Sequence, residues 1–155
     1  MKKPEPLILL KDSREPIDKY LFKSAEFKEK VLLIRTKLDC GDFSVLGADN
    51  KIFIERKTTE DLISSFTHGR ERFKRMWERS AGYQLRYLMI EGNLSDILAE
   101  EYRSVTPSQC IIGSIMSWSL CYSFSWFIVS NIYEGQKMVY RLLLNYKRLK
   151  EEGRI

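Results

Sequence analysis

Short runs of consecutive apolar residues alternate along this chain with segments whose apolar positions recur every three or four residues. The first pattern marks strands buried on both faces, and the second marks amphipathic helices. Leu7 to Leu10 is such a run, and Val31 to Arg35 is the second strand. Phe43 to Leu46 and Lys51 to Ile54 predict a hairpin, because Gly47-Ala48-Asp49-Asn50 between them supplies turn residues. Leu88 to Ile90 and Phe124 to Val129 complete the strands. Helices are predicted from Pro16 to about Lys28, Thr58 to Phe66, Arg70 to Ser80, Leu94 to Glu101, Pro107 to Tyr122 and Glu134 to about Lys150. That order predicts an α/β domain with a central mixed sheet between helical layers.

Val105 to Tyr133 contains no charged residue and is long enough to suggest a membrane span. Thr106-Pro107 reads instead as an N-cap and first helical residue, and Tyr122-Ser123 as a break before a strand. A buried helix followed by a buried strand is therefore expected, with no membrane association. The 155 residues fit one domain, and an apolar share of 44% with a charged share of 30% excludes a disordered chain. Cys40, Cys110 and Cys121 form no CxxC pair and are odd in number, which argues against a zinc ribbon or disulfide framework and predicts thiols packed as small apolar residues. The start, Met1-Lys2-Lys3-Pro4-Glu5-Pro6, lacks the apolar core of a secretory signal, so an intracellular setting, cytoplasmic or nuclear, is expected.

Charge sharpens the picture. The net charge of +5 suits a polyanionic partner, and the basic residues concentrate between His68 and Ile90. Arg70, Arg72, Lys74, Arg75, Arg79 and Arg86 stand there against only Glu71 and Glu78. In the predicted helix from Arg70, Phe73, Met76, Trp77 and Ser80 follow core spacing, which leaves Arg72, Arg75 and Arg79 on an adjoining face. Such a stripe, with Arg70 and Lys74 beside it, can hold DNA backbone phosphates without reading sequence, or serve as a solvated basic face. The single histidine, His68, excludes nucleases built on clustered histidines.

The hairpin carries the chemistry. A turn centred between Ala48 and Asp49 places Asp42 opposite Glu55, with Cβ atoms ~5 Å apart, where like charges destabilise unless a cation offsets them. Alternation puts Glu55 and Lys57 on one face and Ile54 and Arg56 on the other. Two carboxylates suit Mg²⁺, which binds such oxygens at ~2.1 Å and keeps water and substrate phosphate in its other positions. Lys57 would orient the attacking water or stabilise the pentavalent phosphate; the alternative is a plain Lys57–Glu55 ion pair.

These residues also form a recognisable series. Gly41-Asp42, Glu55-Arg56-Lys57 and Asp61 resemble the GD…ERKxxxD signature of the XPF family of structure-specific endonucleases (XPF/Hef type). Asp12-Ser13-Arg14-Glu15 resembles that family's DxRE, Asp61-Leu62-Ile63 its DLI and Gly69-Arg70 its GR, while Tyr87 to Glu91 resembles an apolar strand ending in an acidic residue. The resemblance implies a restriction-endonuclease-like three-layer fold of the PD-(D/E)XK superfamily. It also implies Mg²⁺ dependence, with Mn²⁺ as a substitute, and cleavage of DNA near branches such as flaps or forks, in repair, replication or recombination. Asp42 and Glu55 would bind the metal with the main-chain carbonyl of Arg56, while Asp12, Arg14, Glu15 and Asp61 would support the site. Asp12, Arg14 and Glu15 have the alternative of capping the helix expected at Pro16, and Asp61 that of completing a capping box with Thr58. A homodimer through the C-terminal helices is implied too. Family members commonly continue into a helix-hairpin-helix domain, which is absent from residues 1–155; a single nuclease domain is expected, with added DNA grip from a partner protein or from the basic stripe. Two alternatives remain: a catalytically silent DNA-binding or dimerisation subunit, and a nuclease of the same fold with other specificity.

Overall fold

The computed structural model describes residues 3–155; Met1 and Lys2, part of the stretch read as lacking a secretory signal, lie outside them. The strands are β1 (Leu7–Asp12), β2 (Val31–Thr36), β3 (Phe43–Val45), β4 (Ile52–Thr58), β5 (Leu85–Glu91) and β6 (Ser125–Val129). The helices are α1 (Thr59–Phe66), α2 (Arg70–Arg79), α3 (Leu94–Leu98), α4 (Ser108–Tyr122) and α5 (Ile132–Glu151). The strands form one mixed sheet in the order β2-β1-β3-β4-β5-β6, antiparallel only where β3 meets β1 and β4.

Strand alternation divides the core into two layers. Leu7, Leu9, Phe43, Val45, Ile52, Ile54 and Met89 pack with Val139, Leu143 and Tyr146 of α5. On the other face Phe53, Leu88 and Ile90 pack with Leu62, Ile63 and Phe66 of α1, Phe73 and Trp77 of α2, and Ile111, Ile115 and Trp118 of α4. Three layers result, as the order of elements predicts. Arg86 supports the second layer: its guanidinium donates to the carbonyls of Trp77 and Tyr122, near the C-terminal ends of α2 and α4, where a cation is favoured.

The helix expected from Pro16 to Lys28 is not formed. Tyr20, Phe22 and Glu29 have φ of 54°, 53° and 64°, left-handed values that interrupt a helix. The buried ammonium of Lys11 takes the carbonyls of Pro16 and Lys19, and the Phe22 N–H donates to Gln136 Oε1 at 2.8 Å. Tyr20, Phe22 and Phe27 are buried in the α5 layer, so tertiary packing overrides local periodicity here. Smaller differences follow the same logic. Pro107, with no side-chain cap bond, precedes α4 in place of Thr106; Glu100 at φ 58° follows the shortened α3; and Cys110 and Cys121 are exposed where packed thiols were expected, while Cys40 is buried. No helix among the described residues is long and apolar enough to cross a membrane.

Gly41 shows how tightly the hairpin sits on its neighbours. It has φ +76°, and a Cβ there would lie 2.4 Å from Cδ2 of the buried Phe53; Gly47 has φ +84° with nothing within 4 Å. Gly47→Ala is expected to cost only the backbone penalty of ~1 kcal/mol, whereas Gly41→Ala adds overpacking for a total of ~2–4 kcal/mol. Urea unfolding of the two variants checks this; equal losses would contradict it.

Candidate active site

The site is built where three strands end. Asp12 closes β1, Asp42 precedes β3, and Glu55 and Lys57 lie on β4 facing α1 and α2, while Arg56 points to the α5 side. The hairpin register pairs Phe43 with Ile54, as the turn predicts. Beyond that pair the ladder gives way to other bonds. Asp42 N–H donates to Ile54 O at 2.9 Å, Asp12 N–H donates to Asp42 O at 2.8 Å, and Arg56 N–H donates to the Asp42 carboxylate at 2.7 Å. Asp42 thus ties β1, β3 and β4 together.

A cleft of about 580 Å³ opens over these residues. Asp12, Arg14, Glu15, Asp42, Glu55, Arg56, Lys57 and Asp61 all line it, and so do Arg72 and Arg79 of α2. The Thr58 side chain accepts the Asp61 N–H at 3.2 Å, so Thr58 caps α1 and Asp61 sits in its first turn at the cleft wall. The helix whose capping was the alternative role for Asp12, Arg14 and Glu15 is absent. Asp12 instead accepts Leu38 N–H at 2.9 Å and Arg14 Nε–H at 2.8 Å, and Glu15 pairs with Arg56 at 3.3 Å.

Electrostatics set the character of the cleft. Burial, then the charge of Glu55, pushes the Asp42 carboxyl well above the ordinary range. Burial likewise raises Glu55, although Lys57 opposes that rise. Asp12 differs: burial pushes it up, but bonds from Arg14 and Leu38 more than compensate and hold it below its usual value. Lys57 Nζ stands 3.4 Å from Glu55 Oε1 and 5.1 Å from the Phe73 ring centroid. The ion pair considered as an alternative is therefore present, but one ammonium faces two half-buried carboxylates, so excess negative charge remains.

That excess suits a divalent cation. Among the described residues no group of three His, Cys, Asp or Glu side chains is arranged as a metal cluster. Asp42, Glu55 and the Arg56 carbonyl are nonetheless a hard-oxygen set of the kind Mg²⁺ takes with water completing its shell.

Other expected residues lie elsewhere. Arg70, Lys74 and Arg75 are not part of the cleft lining: the Arg70 guanidinium stacks 4.9 Å from the Trp118 ring centroid, Lys74 pairs with Glu78 at 3.8 Å, and Arg75 is exposed. The lining also includes Asp39, Ser64, Ser65, Phe73 and Met76, which sequence reasoning did not assign to the site. Asp39 stands next to the Cys40-Gly41-Asp42 stretch and could have been found; Phe73 and Met76 look like core positions by spacing alone.

A mixed sheet with helices on both faces and its acidic cleft at converging strand ends defines a restriction-endonuclease-like domain. Residues 12–142 match the ERCC4 domain profile, and the chain belongs to the ERCC4 domain family. It is similar in structure to XPF from Aeropyrum pernix, with a TM-score of 0.70 at 21% identity over 93% of this chain and 67% of that one. A second similar structure is XPF from Aeropyrum pernix in complex with DNA, with a TM-score of 0.69 at 19% identity over 92% of this chain and 66% of that one. The chain therefore spans about two thirds of each. No curated protein matches the sequence.

The raised carboxyls have a consequence for stability. Both titrate above their unfolded values, so their stabilising protonation is fully present below the unfolded values near 4 and is lost as pH rises through the folded ones. In EDTA at neutral pH, Asp42→Asn is expected to raise Tm, at about 2–4 °C per kcal/mol relieved in a chain of this size. The gain should shrink towards pH 4. Thermal melts across pH test this, and a gain independent of pH would contradict it.

Proposed function

We propose that this chain is a Mg²⁺-dependent endonuclease that hydrolyses phosphodiester bonds in DNA near branches such as flaps or forks. The observation that carries the reading is the pair of half-buried carboxylates, Asp42 and Glu55, gathered beside Lys57 in a cleft edged by arginines. Membership of the ERCC4 domain family supports it, as does similarity to an XPF solved in complex with DNA.

Asp42, Glu55 and the Arg56 carbonyl would hold the ion. Bound there, it would acidify water and neutralise charge on the scissile phosphate. Lys57 reaches the same face with its ammonium steadied between Glu55 and the Phe73 ring, poised to orient water or meet charge developing on a phosphate oxygen. Arg72 and Arg79, on the α2 wall, would hold backbone phosphates; Arg70, Lys74 and Arg75 would meet duplex farther from the cleft. Asp12, with Arg14, braces the Leu38 loop, Glu15 meets Arg56, and Asp61 closes the wall from α1. A homodimer through the C-terminal helices accords with Met116 and Leu120, which lie one turn apart on α4 and are exposed.

The test incubates the chain with end-labelled flap, fork, nicked, linear duplex and single-stranded DNA, in Mg²⁺, Mn²⁺ or EDTA. Cutting of branched substrates is expected with metal only, and Glu55→Ala should lower the rate by at least about a hundredfold. Binding without cutting in every condition would replace the nuclease with a silent DNA-binding subunit; equal cutting of linear and branched DNA would discard branch preference. Arg72→Ala and Arg79→Ala are each expected to weaken binding to all DNA sequences alike and to lower the slope of log K against log salt by about 1, which titrations at several salt concentrations measure.

A further inference from the structure

Beneath the cleft, on the opposite face of the sheet, lies a buried charged cluster in which Arg56 and Glu15 meet two residues, Tyr20 and Glu91, that the cutting chemistry described above does not use. Alternation along β4 sends the Arg56 side chain to that face, where it is almost wholly enclosed. Its Nε stands 2.8 Å from Glu91 Oε2, its other arm 3.3 Å from Glu15 Oε2, and its guanidinium 4.9 Å from the Tyr20 ring centroid. The Tyr20 hydroxyl donates to the same Glu91 oxygen at 2.7 Å. Neither Tyr20 nor Glu91 lines the cleft.

We propose that Glu91 and Tyr20 are positioning residues for the cleft: they lock Arg56, and through it the peptide N–H that holds Asp42 and the carboxylate of Glu15 at the cleft wall. Their effect on cutting rests on the nuclease reading; their effect on geometry does not. The main-chain N–H of Asp42 donates to Ile54 O of β4, but its carboxylate is held from β4 by the Arg56 N–H, and that bond comes from the same residue whose side chain the cluster grips. Two carboxylates that repel each other need such an anchor, because a displacement of ~1 Å at a reacting group can cost ~10²-fold in rate. Removing one partner of the cluster leaves a buried charge uncompensated, so the remaining groups must rearrange.

The cluster reaches back to α5. A Cβ on Gly135 would lie 2.2 Å from the Tyr20 hydroxyl and 2.9 Å from Cζ of its ring, so only glycine lets Tyr20 take its seat. The neighbouring Gln136 accepts the Phe22 N–H, fixing the same left-handed turn of chain. A continuous path of contacts thus runs from the back helix through Tyr20, Glu91 and Arg56 to Asp42.

Three variants of the full chain test this: Tyr20→Phe, which removes one hydroxyl and keeps the ring; Glu91→Gln, which keeps the shape and removes the charge; and Gly135→Ala. Amide hydrogen exchange is measured by NMR in EDTA without DNA, so it does not depend on activity. The Arg56 amide is expected to exchange at least about tenfold faster in Glu91→Gln and Gly135→Ala, and less so in Tyr20→Phe, while the Leu88 and Met89 amides stay within about twofold of the parent. In cutting assays kcat should fall at least about tenfold, with DNA affinity in EDTA unchanged. An unchanged Arg56 amide in Glu91→Gln overturns the proposal. So does faster exchange of all three amides alike in Tyr20→Phe, the mildest change, because it would show general loosening. If the parent cuts no DNA the nuclease reading fails, and the exchange measurement still decides whether Glu91 and Tyr20 position Asp42.

Discussion

The hydrogen bond from the Arg56 amide to the Asp42 carboxylate joins β4 to the residue before β3 at the point where their ladder ends. Everything around the cleft is arranged with respect to it. The same Asp42 receives the Asp12 N–H through its carbonyl, so the ends of β1 and β4 and the start of β3 are drawn to one point. Strand alternation then separates the charges about that point, with Glu55 and Lys57 on the cleft side and Arg56 on the other. Lys57 partly offsets the carboxylates from above, and Arg56 lies beneath them, itself held by Glu15 and Glu91.

Such an arrangement is poor for stability by itself. Desolvated carboxylates that repel each other oppose folding, and buried ion pairs seldom repay their desolvation in full. The two apolar layers supply what the site lacks. Phe53, Leu88 and Ile90 against α1, α2 and α4, and Leu9, Ile54 and Met89 against α5, enclose the strands that carry the charges. Rigid strands also place functional groups more accurately than loops can, which suits a site made of mutually repelling groups.

Helix α2 joins the two requirements. Its apolar stripe buries Phe73 and Trp77, while Arg72 and Arg79 reach the cleft, and an Arg79 N–H donates to Asp39 O at 3.3 Å. Phe73 is at once core and cleft wall, because its ring also carries the Lys57 ammonium. Sequence spacing marks Phe73 as core for a sound reason, yet periodicity describes one helix face and is silent about which strand residue lies across from it.

Sequence alone determined the mixed sheet, the hairpin register and the sharing of one face by Glu55 and Lys57. These follow from local rules: turn length sets which residues pair, and a strand repeats every two residues. It also carried the family, since the motif residues stand in order along the chain. Only the tertiary structure decided the segment after β1, where Tyr20 and Phe22 adopt left-handed backbone and pack against α5 instead of forming a helix. Only it brought Glu91 to Arg56, residues 35 positions apart, and Tyr20 to Glu91, 71 apart. The physical reason is the same in each case: burial and charge pairing between distant segments outweigh the weak local preferences that a sequence displays.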